Sequence, residues 1–598
     1  MCENNECENK FIIPKIILTV ILFVCGFKFQ LLFYMAYIII AHEIILKALK
    51  NVLSGKVFDE NFLMTVATIG AICIKELPEA VMVMLLYQIG EYLQDKAVDK
   101  SKDSITELMD IRPDYANKIS GNEVIKVNPQ EVMIGDIILV KPGEKIPLDG
   151  TVTEGQSQID TSSLTGESVP RKAVIGQNVN SGCINSDGTI KLRVTKTFED
   201  STVSKILEMV EEASDKKTKT ENFITRFAQI YTPFVVVLAL VIAIVPAFFF
   251  AENRIERALT FLVISCPCAL VLSIPLSFFA GIGAGSKAGI LVKGSVYLEK
   301  LSHIKTVVFD KTGTLTNGNF EVIKINSDNP EILRYAALAE STSNHPIANA
   351  LKKAYGKEVT IQKITEISGK GIKAEIDGNE VLVGNAKLID ITPDKNEGGT
   401  VVYVAVNGKC IGNIVISDKE KKNSAYTVSE LNKHKIDTIM LTGDSNNAAK
   451  IIQEKLGIKQ AFAELLPNKK VEKLEEIMAK NQGTTVFVGD GINDAPVITR
   501  ADVGIAMGGL GSDAAIEAAD MVIMDDNPAK LLDAMLISKK TMRIVKQNII
   551  LAIGVKVLFL ILSTFGLMTM WGAIFADVGV TLIAVVNALR ILKHRFTM

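Results

Sequence analysis

Long apolar runs alternate with polar stretches along this chain. Eight of them approach the length of about 20 residues that a membrane-spanning helix needs: 11–27, 29–49, 61–77, 78–94, 228–250, 258–282, 549–567 and 571–592. Only a turn at 76–79 joins the third run to the fourth, and both of these runs are short. The pattern predicts eight membrane helices, arranged as a block of four followed by two pairs.

Two long polar inserts separate these groups of helices. The first, 96–227, contains short strands punctuated by Gly and Pro, which predicts a domain built mainly of β-strands with a helix at each end. The second, 288–547, alternates helices with the apolar runs KTVVFD, IDTIML, TTVFVG and MVIM. Such runs are typical of parallel strands buried on both faces. A more polar stretch with strands of its own, EVLVGN and VVYVAV, predicts a domain inserted between the first two runs.

The distribution of charge orients the predicted helices. Lysine and arginine cluster after the second run, in both inserts and in the C-terminal tail, and they are scarce in the opposite loops. Because basic loops stay on the cytosolic side, both inserts and both termini are predicted to be cytosolic. The net charge of −2 provides no basic surface for nucleic acid, so we expect no such partner. The absence of a targeting signal predicts a bacterial plasma membrane.

Asp310 ends the predicted strand KTVVFD and begins the turn KTGTLT. An acid at the carboxyl end of a parallel strand lies in the crevice where such sheets bind ligands. A carboxylate there can attack the γ-phosphoryl group of ATP and form an aspartyl phosphate. Thr312 occupies the position where soluble phosphatases built on this sheet carry a second acid, which activates water. The sequence therefore predicts a phosphoenzyme that persists.

Phosphoryl transfer needs groups that position the phosphate and neutralise its charge. Thr442 in LTGD can contact phosphoryl oxygens, and Lys470 in LLPNKKV can supply a cation. Asp490 and Asp494 in VGDGINDAP can bind Mg²⁺ together with Asp310. DKT alone is a plausible chance turn, but DKTGTLT, TGD and GDGINDAP in this order are not.

In these motifs the chain resembles the P-type ATPases over essentially its whole length. The resemblance implies a multi-domain α+β membrane protein with a β-rich actuator domain, a haloacid-dehalogenase-like α/β phosphorylation domain and an inserted α/β nucleotide-binding domain. It also implies ATP and Mg²⁺ as cofactors and, in TGES, a role for Glu167 in orienting the water that hydrolyses the phosphoenzyme. The expected boundaries are a short tail at 1–10, membrane helices at 11–95, 228–287 and 548–598, the actuator domain at 96–227, the phosphorylation domain at 288–317 and 423–547, and the nucleotide-binding domain at 318–422.

A nucleotide site is expected in the inserted domain, at His345-Pro346 and at Gly369 and Gly371 of SGKGIKA. Glycine lets the backbone approach a ligand closely, and an imidazole can stack on adenine. Each motif alone is more often a helix start or a turn, but the heavy-metal branch of the family carries an HP pair here. Three other residues of this domain are further candidates: Glu340, Gly384 and Asn385.

Cys266 and Cys268 flank Pro267 inside the sixth apolar run. Proline kinks a helix and frees nearby carbonyls, and two thiolates there suit Cu⁺, Zn²⁺ or Cd²⁺ better than Ca²⁺ or Mg²⁺. Lys556 and Asp577 lie mid-way along the last two runs, where charges are costly and usually functional or paired. Two thiolates, one carboxylate, one divalent cation and one ammonium are together neutral. The alternatives are cysteines that only pack and a purely structural ion pair.

CPC is the membrane signature of the heavy-metal branch, and the N-x7-K and D-x-G patterns resemble its zinc/cadmium/lead subgroup. Copper pumps of the branch carry Tyr-Asn and Met-x-x-Ser-Ser in these helices, and this chain has neither. The resemblance thus implies ATP-driven export of Zn²⁺, Cd²⁺ or Pb²⁺ from the cytosol. A Cu⁺ pump is one rival hypothesis, and a membrane-tethered phosphatase or metal sensor is another.

Two features on the cytosolic side have more than one interpretation. Many relatives carry an N-terminal GMTCxxC domain, whereas here only Cys2 and Cys7 precede the first run. A disordered tail is favoured over a metal-binding arm for this segment. Glu91, at the end of the fourth run, is either on the metal route or a helix-end side chain that reaches the interface.

Overall fold

The structure is a computed structural model of the chain. It describes residues 3–592 apart from 55–59, 109–112, 122, 162–169, 206–217, 245–253, 266–267, 344, 358–362, 368–369, 392–398, 445, 482, 491–493, 509–516, 526 and 566. The described α-helices, numbered in chain order, are α1 Glu3–Gly26, α2 Leu31–Leu53, α3 Glu60–Cys73, α4 Leu77–Leu108, α5 Lys219–Ile244, α6 Arg254–Ile264, α7 Cys268–Lys287, α8 Ser295–Leu301, α9 Ile332–Ala339, α10 Pro346–Tyr355, α11 Ala386–Ile389, α12 Ser424–Lys433, α13 Asn446–Leu456, α14 Pro467–Lys480, α15 Ala495–Arg500, α16 Lys530–Thr564 and α17 Met570–Leu589.

Apolar helices recur where the sequence predicts membrane spans. Each of the eight predicted runs overlaps a helix: α1 to α5, α6 with α7, α16 and α17. Among the described residues, four segments are long and apolar enough to cross a membrane: Leu31–Leu53, Ile255–Lys287, Lys530–Thr564 and Gly572–Leu589. Three shorter apolar helices are Ile12–Gly26, Asn61–Cys73 and Ile230–Ile244. Since the fourth run falls in α4, which is in neither group, the count of eight membrane helices stays a prediction.

Two helix starts differ from the sequence-based expectation. The tail predicted to be disordered is helical from Glu3 onward, because α1 begins there. Extending a helix that already exists is far easier than nucleating one, so the apolar run propagates helix toward the N-terminus. The seventh predicted run is the second half of α16, which begins at Lys530 inside the second insert. One continuous helix therefore links that insert to the apolar region.

The described strands, numbered in chain order, are β1 Ala116–Ser120, β2 Glu123–Val127, β3 Ile137–Val140, β4 Gly150–Glu154, β5 Ser157–Asp160, β6 Arg171–Ala173, β7 Asn178–Val179, β8 Ile184–Asn185, β9 Ile190–Val194, β10 Ile290–Val292, β11 Ile304–Asp310, β12 Thr316–Asn326, β13 Lys363–Ile367, β14 Gly371–Ile376, β15 Asn379–Gly384, β16 Thr400–Val406, β17 Lys409–Glu420, β18 Asp437–Leu441, β19 Gln460–Phe462, β20 Thr484–Gly489, β21 Val503–Met507 and β22 Met521–Ile523. The first insert contains the antiparallel sheet β2-β1-β3-β9-β4-β7 and the smaller sheet β6-β5-β8. Its β-rich character matches the prediction.

The second insert is built on a seven-stranded sheet in the order β10-β22-β21-β20-β11-β18-β19. The central strand β11 pairs in parallel with β18 on one side and with β20 on the other. After β11 the chain first adds β18 and β19, and then crosses to add β20, β21 and β22. Its carboxyl end is thus the point where the strand order reverses, which is where open α/β sheets bind ligands.

A second, antiparallel sheet is inserted between β11 and β18, in the order β12-β17-β16-β15-β14-β13. β12 begins at Thr316, close after the end of β11, and Thr316 pairs with Glu420 at the end of β17. Two neighbouring strands therefore carry the chain into the inserted sheet and back. The crevice at the end of β11 opens beside this connection.

Candidate active site

Three predicted site residues follow the carboxyl ends of neighbouring strands. Asp310 ends β11, Thr442 follows β18, and Asp490 follows β20. In the parallel register Asp310 lies opposite Leu441, the residue before Thr442. Asp310 and Thr442 are 5% and 2% exposed. The apolar strands thus bring polar groups that are distant in sequence to one edge of the sheet.

Lys470 joins two of the predicted carboxylates. Its Nζ lies 2.5 Å from Asp310 Oδ1 and 2.9 Å from Asp494 Oδ1. Lys470 lies in the first turn of α14, and Asp494 immediately precedes α15, where its carbonyl accepts a hydrogen bond from the Val497 amide. All three charged side chains are buried. A buried charge is tolerated when it is paired, and here a single ammonium serves two acids.

The environment of Asp310 and Lys470 raises the pKa of both groups. Burial, together with the neighbouring Asp494 carboxylate, raises the pKa of Asp310 to about 7, although Lys470 opposes the shift. Burial alone lowers the pKa of Lys470, but the Asp310 and Asp494 carboxylates outweigh it and the pKa is raised. The ammonium is therefore firmly charged. The nucleophile carries its negative charge only with help from neighbouring cations.

The turn after Asp310 depends on a glycine. Gly313 has a φ of +75°, and a Cβ atom on it would lie 3.2 Å from both Cβ and Oδ2 of Asp490. Thr312 is extended, with φ −77° and ψ 129°, and half-buried. Glycine thus permits both the left-handed turn and the close approach of Asp490.

Replacing Gly313 by alanine is expected to lower phosphorylation of Asp310 by ATP about tenfold or more. A Cβ there strains the turn and pushes Asp490 away from the crevice. The matched control is Gly408→Ala, which has a φ of +78° and nothing within 4 Å of the added Cβ. Both variants place a side chain at a similar positive φ, so a loss confined to Gly313→Ala reports strain in the turn after Asp310 together with the contact with Asp490. Equal rates would contradict this prediction.

Sequence reasoning missed a polar network behind the nucleophile. Lys311, next to Asp310, forms an ion pair with Asp444 of the TGD motif. Lys421 donates a hydrogen bond to the Gly313 carbonyl, and Thr316 contacts the Asp418 carboxyl. Lys311 lies in DKTGTLT and Asp444 in LTGD, so their pairing could have been predicted from the sequence. SDKEK, which contains Asp418 and Lys421, carries no recognisable signal of its own.

A cavity of about 760 Å³ runs from the phosphorylation crevice into the inserted sheet. Its lining includes Lys311, Thr312 and Asp444, from the loops that follow β11 and β18, and His345 and Asn385 of the inserted domain. Most of its other lining residues are apolar, aromatic or small, such as Phe320, Tyr403, Ile347 and Ser417. The acid Asp418 also lines it. The cavity combines a lysine and a threonine next to Asp310 with an imidazole of the inserted domain, so its size and chemistry suit a nucleoside triphosphate.

The remaining nucleotide candidates lie elsewhere or outside the described residues. Gly369 and the side chain of Pro346 are not described. Gly371 is not among the cavity-lining residues; it packs against β15, where a Cβ would meet the Val383 carbonyl at 2.2 Å. Glu340 is half-buried, burial raises its pKa, and it does not line the cavity either. The close contact within the sheet is thus a structural reason for Gly371.

The carboxylates of the crevice suit a hard cation. Asp490 and Asp494 both lie near enough to Asp310 to raise its pKa, and together they offer only oxygen ligands, as Mg²⁺ prefers. Within the described part of the chain, no three His, Cys, Asp or Glu side chains form a complete metal cage. Mg²⁺ usually takes only one or two carboxylates and completes its shell with water and substrate phosphates, so the donor set fits.

In the apolar region the structure brings Lys556 of α16 and Asp577 of α17 together. Lys556 Nζ lies 2.7 Å from Asp577 Oδ1 and donates a second hydrogen bond, 2.9 Å long, to the Ile264 carbonyl. Ile264 is the last residue of α6, where helix carbonyls lack intrahelical partners and a cation is favoured. Cys268 begins α7, and its side chain is not described; Cys266, like Glu167, lies outside the described residues.

Comparison with known proteins agrees with this arrangement. A family model for the P-type ATPase actuator domain matches residues 110–211, and a model for haloacid dehalogenase-like hydrolases matches residues 304–502. A cadmium, zinc and cobalt-transporting ATPase of Bacillus subtilis is 54% identical over 581 residues, covering 94% of this chain and 83% of the relative. The chain belongs to the P-type ATPase family. A zinc-transporting ATPase of Synechocystis is 48% identical, covering 93% of this chain and 80% of the relative.

A solved structure extends this assignment to the heavy-metal branch. A crystal structure of a zinc-transporting PIB-type ATPase in an E2.Pi state matches with a TM-score of 0.63 and 34% identity, covering 98% of this chain and 99% of that one. The P-type ATPase architecture, with an actuator domain and a haloacid dehalogenase-like domain, is thereby confirmed. The family predicted from DKTGTLT, TGES, GDGINDAP and CPC is confirmed as well.

Proposed function

We propose that this P-type ATPase uses ATP to export a divalent heavy-metal cation, Zn²⁺ or Cd²⁺ and also Pb²⁺, from the cytosol. The observation that carries the proposal is the Lys556–Asp577 pair, which lies among apolar helices against the last carbonyl of α6. Ile264 comes two residues before Cys266 in the sequence, which supports a cargo site that combines this carboxylate and ammonium with the two cysteines. Names of relatives that include cadmium, zinc and cobalt support a divalent cargo.

In the proposed reaction, a carboxylate oxygen of Asp310 attacks the γ-phosphorus of ATP, the bond from that phosphorus to the β,γ-bridging oxygen breaks, and ADP leaves an aspartyl phosphate behind. Lys470 neutralises charge on the transferred group, and the Thr442 hydroxyl orients its oxygens. Bound by Asp310, Asp490 and Asp494, Mg²⁺ would supply further neutralisation of phosphate charge. Because Thr312 cannot activate water as an acid would, the phosphoenzyme persists until Glu167 of the actuator domain orients the hydrolytic water.

The cargo site is proposed to consist of Cys266, Cys268 and Asp577, with Lys556 as its built-in countercharge. A divalent cation bound by two thiolates and one carboxylate leaves one negative charge, which one ammonium balances. On metal binding Asp577 exchanges its contact with Lys556 for the ion. When the site opens outward, Lys556 pairs again with Asp577, which favours release and disfavours rebinding.

The architecture proposed around these sites follows the sequence-based boundaries. Residues 96–227 form the actuator domain, 288–317 with 423–547 the phosphorylation domain, and 318–422 the nucleotide-binding domain. The inserted sheet from Thr316 to Glu420 and the parallel sheet from Ile290 to Ile523 support this division. Eight membrane helices in a bacterial plasma membrane, with both termini in the cytosol, complete the proposal.

The test is ATP hydrolysis by the purified full-length protein in lipid, measured against Zn²⁺, Cd²⁺, Co²⁺, Pb²⁺ and Cu⁺. We expect stimulation by the divalent ions and none by Cu⁺, and we expect Asp310→Asn to abolish both hydrolysis and the phosphoenzyme. Stimulation by Cu⁺ that survives removal of Lys556 and Asp577 would favour a copper pump. Strong metal-independent phosphatase activity would favour a tethered phosphatase or sensor.

A further inference from the structure

One exposed face of α16 changes from basic to apolar along its length. Six exposed residues follow each other at alternating intervals of four and three, which is the spacing of a single helix face. The first three are basic and the last three are apolar: Lys539, Arg543 and Lys546, then Ile550, Ile553 and Val557. We call this face the α16 stripe.

The opposite face of α16 packs against neighbouring helices. The Ser538 hydroxyl donates a hydrogen bond to the Leu298 carbonyl of α8, and the Asn548 amide donates one, 3.0 Å long, to the Ala584 carbonyl of α17. These contacts fix the rotation of the helix about its axis, so both halves of the α16 stripe face outward. The apolar half lies in the seventh predicted membrane run, 549–567.

The basic half of the α16 stripe lacks an acidic partner within the described part of the chain. Lys539, Arg543 and Lys546 form no ion pair with a described residue. From residue 534 to 598 the sequence contains eight Lys and Arg but one acid, Asp577, and that acid pairs with Lys556. Like charges one turn apart on a helix repel one another, so an anion beside them stabilises this face.

A fourth basic residue, from α17, lies at the same level. The Asn587 side chain donates hydrogen bonds to Gln547 Oε1 at 3.3 Å and to Asn548 Oδ1 at 2.9 Å. Arg590, exposed at the end of α17, donates one to Asn587 Oδ1 at 2.9 Å. Because Gln547 follows Lys546 directly, basic residues of two antiparallel helices meet where both helices become apolar.

We propose that the basic half of the α16 stripe, together with Arg590, binds the headgroup of an anionic phospholipid in the cytosolic leaflet. The inference rests on the proposed membrane location and orientation. Basic residues directly cytosolic of a membrane helix attract anionic lipids. A phospholipid fits better than a soluble phosphate, because only a molecule with an anionic head and apolar chains contacts both halves of the stripe. Since α16 carries Lys556, the bound headgroup fixes the depth of that residue in the membrane.

The experiment is native mass spectrometry of the purified full-length protein, titrated in detergent with phosphatidylglycerol or with phosphatidylcholine of identical chains. We expect the first phosphatidylglycerol to bind at least about tenfold more tightly, because each basic residue near an anionic headgroup contributes about fivefold. Lys546→Gln should reduce this preference about fivefold. In the stripe variant, which combines Lys539→Gln, Arg543→Gln and Lys546→Gln, the ratio of the two affinities should approach one.

The matched control changes the net charge by the same amount at sites remote from the α16 stripe. It replaces three exposed lysines of α12, α13 and α14 by glutamine, Lys433, Lys450 and Lys469, and should keep the wild-type preference. A wild-type protein without preference, or a stripe variant that retains it, overturns the inference. Displacement of phosphatidylglycerol by inorganic phosphate also overturns it, because the site would then recognise a soluble anion.

Metal-stimulated ATP hydrolysis in phosphatidylcholine vesicles separates the two proposals and shows that the stripe variant is folded. The lipid preference needs neither ATP nor metal. A preference without metal-stimulated hydrolysis would therefore contradict only the proposed function, whereas hydrolysis without a preference would contradict only this inference.

Discussion

Lys470→Met is expected to reduce phosphorylation of Asp310 by ATP by about 100-fold or more. The substitution keeps most of the side-chain volume but removes the ammonium that lies within 3 Å of both Asp310 and Asp494. Removing one preorganised charge from a buried site of this kind typically costs about 10² to 10³ in rate. It also leaves two buried acids without their shared cation, which destabilises the crevice. The measurement is the initial rate of phosphoenzyme formation.

The pH dependence gives a second readout of the same change. Before Mg²⁺ binds, burial and the neighbouring Asp494 carboxylate raise the pKa of Asp310 to about 7. Because the attacking carboxylate must be ionised and Mg²⁺ favours that form, the phosphorylation rate at limiting Mg²⁺ should fall as the pH drops below about 7. Because Lys470 lowers that pKa, Lys470→Met should move the acid limb to higher pH. The effect of pH on folding stability runs the other way. The raised pKa means that the folded state favours protonated Asp310, so this contribution to the free energy of unfolding is lost as the pH rises from about 4 through 7.

Lys469→Met is the matched control for Lys470. Lys469 is the preceding residue, is exposed, and pairs only with Glu472 on the surface of α14. A surface ion pair contributes little, so both the rate and the pH profile should remain those of the wild type. Equal losses in both variants would mean that α14 itself, and not the Lys470 ammonium, supports phosphorylation.

Asp577→Ala is expected to abolish metal-stimulated ATP hydrolysis. The variant loses an anionic ligand from the proposed cargo site, which should cost more than the 10- to 100-fold in affinity typical of losing an outer partner. It also leaves Lys556 with only the Ile264 carbonyl, and an unpaired ammonium there repels an incoming cation. Metal titrations of ATPase activity and of phosphorylation by ATP measure the effect.

Phosphorylation by inorganic phosphate supplies the control for Asp577. That reaction uses the crevice around Asp310 and needs no cargo, so Asp577→Ala should retain it. Ser563→Ala, at a buried polar residue farther along α16 than Lys556, should leave both reactions unchanged. Zn²⁺ stimulation that persists in Asp577→Ala would remove this carboxylate from the cargo site.

The crevice was largely predictable because its chemistry lies at the ends of apolar strands. β11, β18 and β20 appear in the sequence as nearly continuous apolar runs. The polar residues at or directly after their ends are Asp310, Thr442 and Asp490. The three-residue strands β10 and β19 and the five-residue strand β21 were not predicted, whereas β22, also three residues long, was predicted from MVIM. The start of α1 was not predicted either, because the helix extends from the apolar run into a polar segment whose pattern does not indicate a helix.

Other parts of the sites involve atoms or contacts that no sequence pattern encodes. The partner of Lys556 includes a backbone carbonyl, Ile264 O, and every residue has one. Asp418 lies in SDKEK at the end of β17, and the cavity that it lines exists only once two sheets are connected. The glycines of SGKGIKA are the opposite case: the motif was recognisable in the sequence, but Gly371 is explained by close contact within its own sheet.

The continuity of α16 has a mechanical consequence. From Lys530, beside the parallel sheet, to Lys556 the helix rises about 1.5 Å per residue, giving an arm of roughly 39 Å without an interruption. A tilt of only about 5° at its cytosolic end would displace the Lys556 ammonium by roughly 3 Å. That displacement is as large as the 2.7 Å contact with Asp577. A small rotation of the phosphorylation domain would therefore move the Lys556 ammonium away from Asp577, as its proposed replacement by a metal ion requires.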